Sequence, residues 1–331
     1  MGKKVLVTGA AGFIGSHVAE ALLARGDEVV GLDNFEAFYS PAAKRRNVRS
    51  ALANSRYTAV EGDLRSPAAI DQAFLKGPFD GVVHLAARAG VRPSLRDPAG
   101  YSETNVSGTA LLLEAAHRKA AGHFVFASSS SVYGVRSTAP FRESDPVDEP
   151  ASPYAATKRA GEILGATFHH LYDLPVTCLR FFTVYGPRQR PDMAIHRFTQ
   201  LIEAGGEVEI YGDGQSLRDY TFIGDVVDGV LRSLDRPQGY RVYNLGTNRT
   251  ISLMELVGLI SAGLDRTPRL IHRPGQPGDV PLTYADITLA RSELGYEPAT
   301  PLNEGIAAFI DWYRKEPACL IPARQLAVTE Q

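Results

Sequence analysis

The chain has 331 residues, 44% of them hydrophobic and 22% charged, with a formal net charge of −2. That length holds one large domain or two of ordinary size, and the near-neutral charge gives no bulk reason to expect nucleic acid or an anionic membrane as partner. Two cysteines (Cys178, Cys319) and eight histidines without a ligand-like spacing exclude a disulfide scaffold and a multi-cysteine metal site and fit a cytoplasmic location.

Short β-branched runs predict strands at 4–8, 28–32, 57–60, 81–85, 124–127 and 176–179, and amphipathic segments predict helices at 13–25, 101–119 and 152–172. Strand and helix alternating through compact connections imply an α/β fold, a Rossmann-like doubly wound parallel sheet. From about 186 the chain is dense in proline and glycine, as in "GPRQRPDM" and "YGDGQSLRDY". We read 1–185 as the nucleotide-binding domain, with segments near 219–245 returning to it. A smaller C-terminal substrate-binding subdomain covers most of 186–315, and 316–331 is a tail. No apolar run reaches the roughly 18 residues that would span a bilayer.

The first strand ends in "TGAAGFIGS", which places Gly9, Gly12 and Gly15 between a strand and a helix. One glycine makes the tight turn, one admits a pyrophosphate to the backbone, and one packs helix on strand. The helix start then offers free N–H groups and its dipole to phosphate. The spacing is GxxGxxG, a weak signal alone. Asp33 ends the second strand 18 residues after Gly15, where a carboxylate holds both hydroxyls of an adenine ribose and repels a 2′-phosphate. No arginine follows it, so NAD is favoured over NADP. Asp63 in "EGDL" is either an adenine contact or a helix-capping turn residue.

Four consecutive serines, Ser128–131, follow the fifth apolar run. About 25 residues later "SPYAATKRAGE" supplies Tyr154 and Lys158, one helical turn apart on one face. Lys158 beside Tyr154, together with a nicotinamide cation, would favour the phenolate and suit the tyrosine to removing a hydroxyl proton.

Taken together, "TGAAGFIGS", Asp33, "GDL", "HLAA", Asn105, the serines and YxxxK resemble the extended short-chain dehydrogenase/reductases, and among them the nucleotide-sugar epimerases. The resemblance implies NAD as cofactor and Ser129, Tyr154 and Lys158 as the catalytic set; Ser128 reads as a strand-end residue. It also implies a cofactor groove of Gly9, Gly12, Phe13, Ile14, Gly15, Asp33, Asn34, Asp63, Leu64, Leu85, Ala86, Ala87 and Phe181. Asn105 would buttress the fourth and fifth strands at that groove, and Tyr154 and Lys158 would also touch the cofactor.

"LRFFTVYGPRQRPDMAIHRF", "AGVRPS" and "QPGDVPLTYAD" are similar to segments of UDP-glucuronate 4-epimerases. That likeness implies a UDP-sugar substrate contacted by Arg92, Ser129, Ser130, Ser131, Tyr154, Thr183, Arg190, Tyr211, Arg218 and Asp279. Arg88 or Arg92 would add charge near a carboxylate, and Gln276 stands where many glucose epimerases carry arginine. Ser130 and Ser131 replace the acids that dehydratases and decarboxylases of this family carry before "VYG". A UDP-glucose or UDP-N-acetylglucosamine 4-epimerase is the main alternative, and a silent NAD-binding sensor is the alternative from another class. The family also implies a homodimer built on the fourth and fifth helices of the sheet, where Leu112, Leu113, Ala115 and Ala116 form an apolar stripe.

Overall fold

The computed structural model describes residues 2–135, 138–274 and 280–316. Seven parallel strands build the central sheet: β1 (Lys4–Thr8), β2 (Glu28–Asp33), β3 (Tyr57–Glu61), β4 (Gly81–His84), β5 (Phe124–Ser129), β6 (Val176–Phe181) and β11 (Tyr240–Leu245). Their order is β11-β6-β5-β4-β1-β2-β3. Alternate residues of β1 feed opposite cores, as the pleat requires. Val5 and Val7 pack with Val18 and Leu22, while Leu6 packs with Leu112 and Leu113. Every residue of β5 and β6 is buried, the signature of strands covered on both faces.

β11 lies far along the chain but pairs in parallel with β6, and the helix Ile223–Leu234 before it packs Val226, Val230 and Leu234 on the first core. The other strands form two-stranded ribbons: β7 (Thr183–Tyr185) with β10 (Tyr220–Phe222), β8 (Glu207–Tyr211) with β13 (Arg269–Arg273), and β9 (Leu217–Arg218) with β12 (Ile251–Ser252). A third core of Ile195, Phe198, Ile210, Leu256, Ile260 and Phe309 holds this second region together.

Two elements depart from the sequence expectation. β5 runs on through Ser128 and Ser129, because these pair with Arg180 and Phe181 of an extended β6; a neighbouring strand overrides weak serine propensity. The helix expected over 101–119 is broken into Pro98–Ser102, a π turn at Glu103–Ser107, and Gly108–Arg118. Leu112, Leu113, Ala115 and Ala116 are core residues of the second cluster.

Candidate active site

The strand order reverses between β1 and β4, and a cleft of about 360 Å³ opens at the carboxyl ends of the strands there, where doubly wound sheets bind ligands.

Its floor is the glycine turn. Gly9 has φ +68° and backs onto the loop after β4 so closely that a Cβ would lie 2.7 Å from Ala86 N. A Cβ on Gly15 would lie 2.0 Å from the Gly9 carbonyl oxygen, so that position fixes how closely helix Phe13–Arg25 follows the turn. Gly12 caps this helix with no side-chain bond to its first N–H groups, leaving them to an incoming anion. Asp33 is oriented by the turn, accepting from Ala11 N at 2.9 Å and Phe35 N at 2.8 Å. Asp63 also lines the cleft; Arg65 and Asn34 bond it and hold its carboxyl well below the usual range. Phe13, Ile14, Asn34 and Leu64 line the same side, and Leu85, Ala86, Ala87 and Phe181 line the other. These features, small residues where a side chain would fill the cradle and a carboxylate at the end of β2, fit a dinucleotide.

Tyr154 and Lys158 enter from helix Pro153–Tyr172, which Ser152 caps by accepting from Ala155 N, with Pro153 at the first turn. Pro at that position is preset for a helix start. The Tyr154 amide donates to Ser94 Oγ at 3.1 Å, and its ring meets Tyr101 edge-on at 6.3 Å. Ser129 and Tyr154 both line the cleft, and Ser129 acts to lower the tyrosine's pKa. Ser129 Oγ also accepts from Ser131 N and donates to Ser131 Oγ, both at 3.1 Å. Lys158 is buried, donates to the Ala127 carbonyl at 2.7 Å, and has its pKa lowered to about 7 by burial.

Burial raises the Tyr154 pKa, opposed by Ser129 and by the charge of Arg190. Without a bound cation the phenol is therefore the stable form, because desolvation outweighs the neighbouring charges. Arg190, held by Asp192 through bonds of 2.9 and 2.7 Å, lines the cleft with Ser130, Ser131 and Thr183.

Other expected residues lie elsewhere. Asn105, in the π turn, is buried off the cleft wall. It clamps both backbone groups of Arg88, at 2.8 and 2.9 Å, and donates to Thr157 at 3.0 Å. It thus braces the loop after β4 against the Tyr154 helix, not two strands against each other, and π turns place residues in this way at functional sites. Arg92 sits over the Tyr211 ring at 5.1 Å, and neither lines the cleft. Arg218 lies in β9 outside the cleft lining. Its neighbour Asp219 is fully buried and accepts from Thr247, Asn248 and Ala285, a structural hub. Asp279 and Gln276 fall outside the described residues.

Sequence reasoning passed over Glu36 and Tyr39, which line the cleft from the loop after β2, and Glu162 beneath it. The aromatic and acidic cluster "NFEAFY" directly after Asp33 was the available signal for the first two. Arg88 does line the cleft, but its guanidinium is committed to Glu36 (2.8 and 3.1 Å) and Asp97.

Among the described residues no helix is long and apolar enough to cross a membrane, and no cluster of acidic, histidine or cysteine side chains could hold a metal. The chain is 45% identical to "UDP-glucuronate 4-epimerase 1" of Arabidopsis thaliana, over 94% of this chain and 77% of that one. It superposes with TM-score 0.87 on a UDP-glucuronic acid 4-epimerase from Bacillus cereus solved with UDP-glucuronic acid and NAD, at 35% identity, covering 94% of this chain and 99% of that one. A dTDP-glucose 4,6-dehydratase from Streptomyces venezuelae, solved with NAD, superposes with TM-score 0.90 at 32% identity, covering 96% and 99%. Residues 5–246 match the model of the "NAD dependent epimerase/dehydratase family". With its glycine turn, Asp33 and the Ser129, Tyr154 and Lys158 set at one cleft, the chain belongs to that family, within the extended short-chain dehydrogenase/reductases.

Proposed function

We propose that the protein catalyses NAD-dependent 4-epimerisation of a UDP-sugar, converting UDP-glucuronate to UDP-galacturonate. The observation that carries this reading is the cleft wall at Ser129, Ser130, Ser131 and Thr183, hydroxyls without an acid, beside Tyr154. The relatives named as UDP-glucuronate 4-epimerases support it.

Gly9, Gly12, Gly15 and Asp33 would hold NAD, which supplies reversible hydride uptake at C4 and so a transient 4-keto sugar. Tyr154 Oη takes the proton of the 4-hydroxyl, with Ser129 on the same wall as a hydroxyl able to donate to the phenolate, which it favours. Arg190 adds positive charge that favours the phenolate. Lys158, with its proton held near neutrality, lies one turn from the base. Once the keto sugar has turned about its diphosphate, the same tyrosine would return the proton to the C4 oxygen as the hydride goes back to the opposite face of C4. A 4-keto uronate is a β-keto acid, and it loses carbon dioxide when its carboxylate bond aligns with the ketone π system. Ser130, Ser131 and Thr183 would donate hydrogen bonds that hold the carboxylate out of alignment and supply no acid.

The smaller region, 186–315 apart from 219–245, would cover the nucleotide sugar. We place the protein in the cytoplasm as a homodimer. Ile163, Leu171 and Tyr172, exposed on the Tyr154 helix, support the pairing. Incubation with UDP-glucuronate, UDP-glucose and UDP-N-acetylglucosamine, read by proton NMR, tests the reading. Conversion of the neutral sugars alone would overturn the uronate assignment, and a pentose product would show decarboxylation.

A further inference from the structure

Beneath the serines lies a buried ion pair that the reaction as written does not use. Glu162 is 0% exposed and Arg180 2%. Arg180 donates to both carboxylate oxygens, at 2.8 and 2.9 Å, and Arg159 adds a bond at 3.1 Å. The oxygen that takes Arg180 Nε also accepts from Ser128 Oγ at 2.6 Å. Arg180 lies 4.8 Å from the Tyr133 ring centroid, and Tyr133 Oη donates to Asn244 at 2.7 Å. The carboxylate is thus anchored in the sheet, with the pair satisfied on both sides as a buried charge requires.

Its place in the chain gives this anchor a consequence. Glu162 follows Tyr154 and Lys158 at intervals of four on one side of the helix. Ser128 immediately precedes Ser129 on β5. The bond between Glu162 and Ser128 therefore ties the element carrying the base to the element carrying its hydroxyl partner. Lys158 to the Ala127 carbonyl is the second tie. With both made, neither rotation nor sliding of the helix is free.

We propose that Glu162, held by Arg180 and acting through Ser128, is a positioning residue that sets Ser129 against Tyr154; this rests on the role given to Tyr154 above. Functional geometry must hold to a fraction of an ångström. A buried carboxylate locked by arginine is a stiffer reference than packing alone. Residue 128 is then more than a strand-end serine.

The test uses Ser128→Ala, which removes the tie yet leaves Glu162 bonded to Arg180, and Ser128→Thr, which keeps the hydroxyl. Ser233→Ala, removing a buried hydroxyl from the distant helix Ile223–Leu234, reports plain destabilisation. In the NAD-loaded protein, ultraviolet phenolate titration of Tyr154, with Tyr154→Phe as blank, is expected to move to higher pH in Ser128→Ala, because a displaced Ser129 hydroxyl stabilises the phenolate less. Ser128→Thr is expected to restore it. With substrate, Ser128→Ala is expected to lose about tenfold in kcat with KM little changed. An unmoved titration, or one moved equally by Ser233→Ala, overturns the proposal. The titration needs no sugar, so a failure of the substrate assignment is read separately, in the wild-type product spectrum.

Discussion

Lys158 Nζ donates to the Ala127 carbonyl at 2.7 Å and stands 5.9 Å from the centre of the Tyr154 ring. The lysine is bound to the strand that leads into Ser129, not to the tyrosine oxygen. Its influence on the base is that of a nearby buried donor fixed in place.

That burial predicts a stability signature. The folded pKa of Lys158 is lowered to about 7 from 10.5, so between those values the unfolded chain binds more protons and stability rises with pH. The cost of the buried ammonium is present below pH 7 and gone by about pH 10.5. Lys158→Met is expected to stabilise the cofactor-free protein by a few kcal/mol at pH 6, from about 1.4 kcal/mol per pK unit, and by little at pH 10. Denaturant unfolding at the two values checks this; an equal effect at both contradicts it.

Tyr154→Phe removes the proton acceptor and keeps the ring against Tyr101. Its kcat is expected to fall by about 10² to 10⁴ with NAD binding intact. Product NMR and bound-cofactor absorbance measure the two effects. Retained turnover would favour a sensor on this fold over an enzyme.

Asp33→Ala deletes a carboxylate that is oriented by Ala11 N and Phe35 N. NAD is expected to bind about tenfold more weakly, equivalent to about 1.4 kcal/mol. Discrimination against NADP is expected to narrow, since the repulsion of a 2′-phosphate goes with the charge. Calorimetric titration with both cofactors settles it.

Gly9→Ala combines φ +68° with a Cβ 2.7 Å from Ala86 N, backbone against backbone, with nothing flexible to give way. Loss of NAD binding and a clear drop in melting temperature are expected, and wild-type values for both would refute the turn's assigned role.

Ser131→Glu places an acid on the hydroxyl wall, 3.1 Å from Ser129 at the present serine oxygen. The fraction of pentose product from UDP-glucuronate is expected to rise. An unchanged product ratio would show that the missing acid is not what protects the carboxylate.

The parallel sheet was readable because its strands are continuous apolar runs and its first helix has clean boundaries, Phe13–Arg25. The glycine turn, Asp33, Ser129 and Tyr154 were readable because each needs a particular residue type at a short, local spacing. What escaped depends on pairing at long range. Ser128 and Ser129 became strand because Arg180 and Phe181 lie alongside, and the π turn at Asn105 leaves no periodic trace. Nothing local marks Glu162, because its partner Arg180 lies 18 positions further on. Arg92 and Arg218 are expected at the substrate by resemblance, and their positions depend on how the ribbons β8–β13 and β9–β12 fold back.

The contact between Glu36 and Arg88 has a topological meaning. It joins the loops after β2 and β4, which flank the glycine turn after β1 in the strand order. The ion pair ties these two loops together across that turn, and because salt weakens a partly exposed charge contact, raising the ionic strength loosens the rim of the cleft.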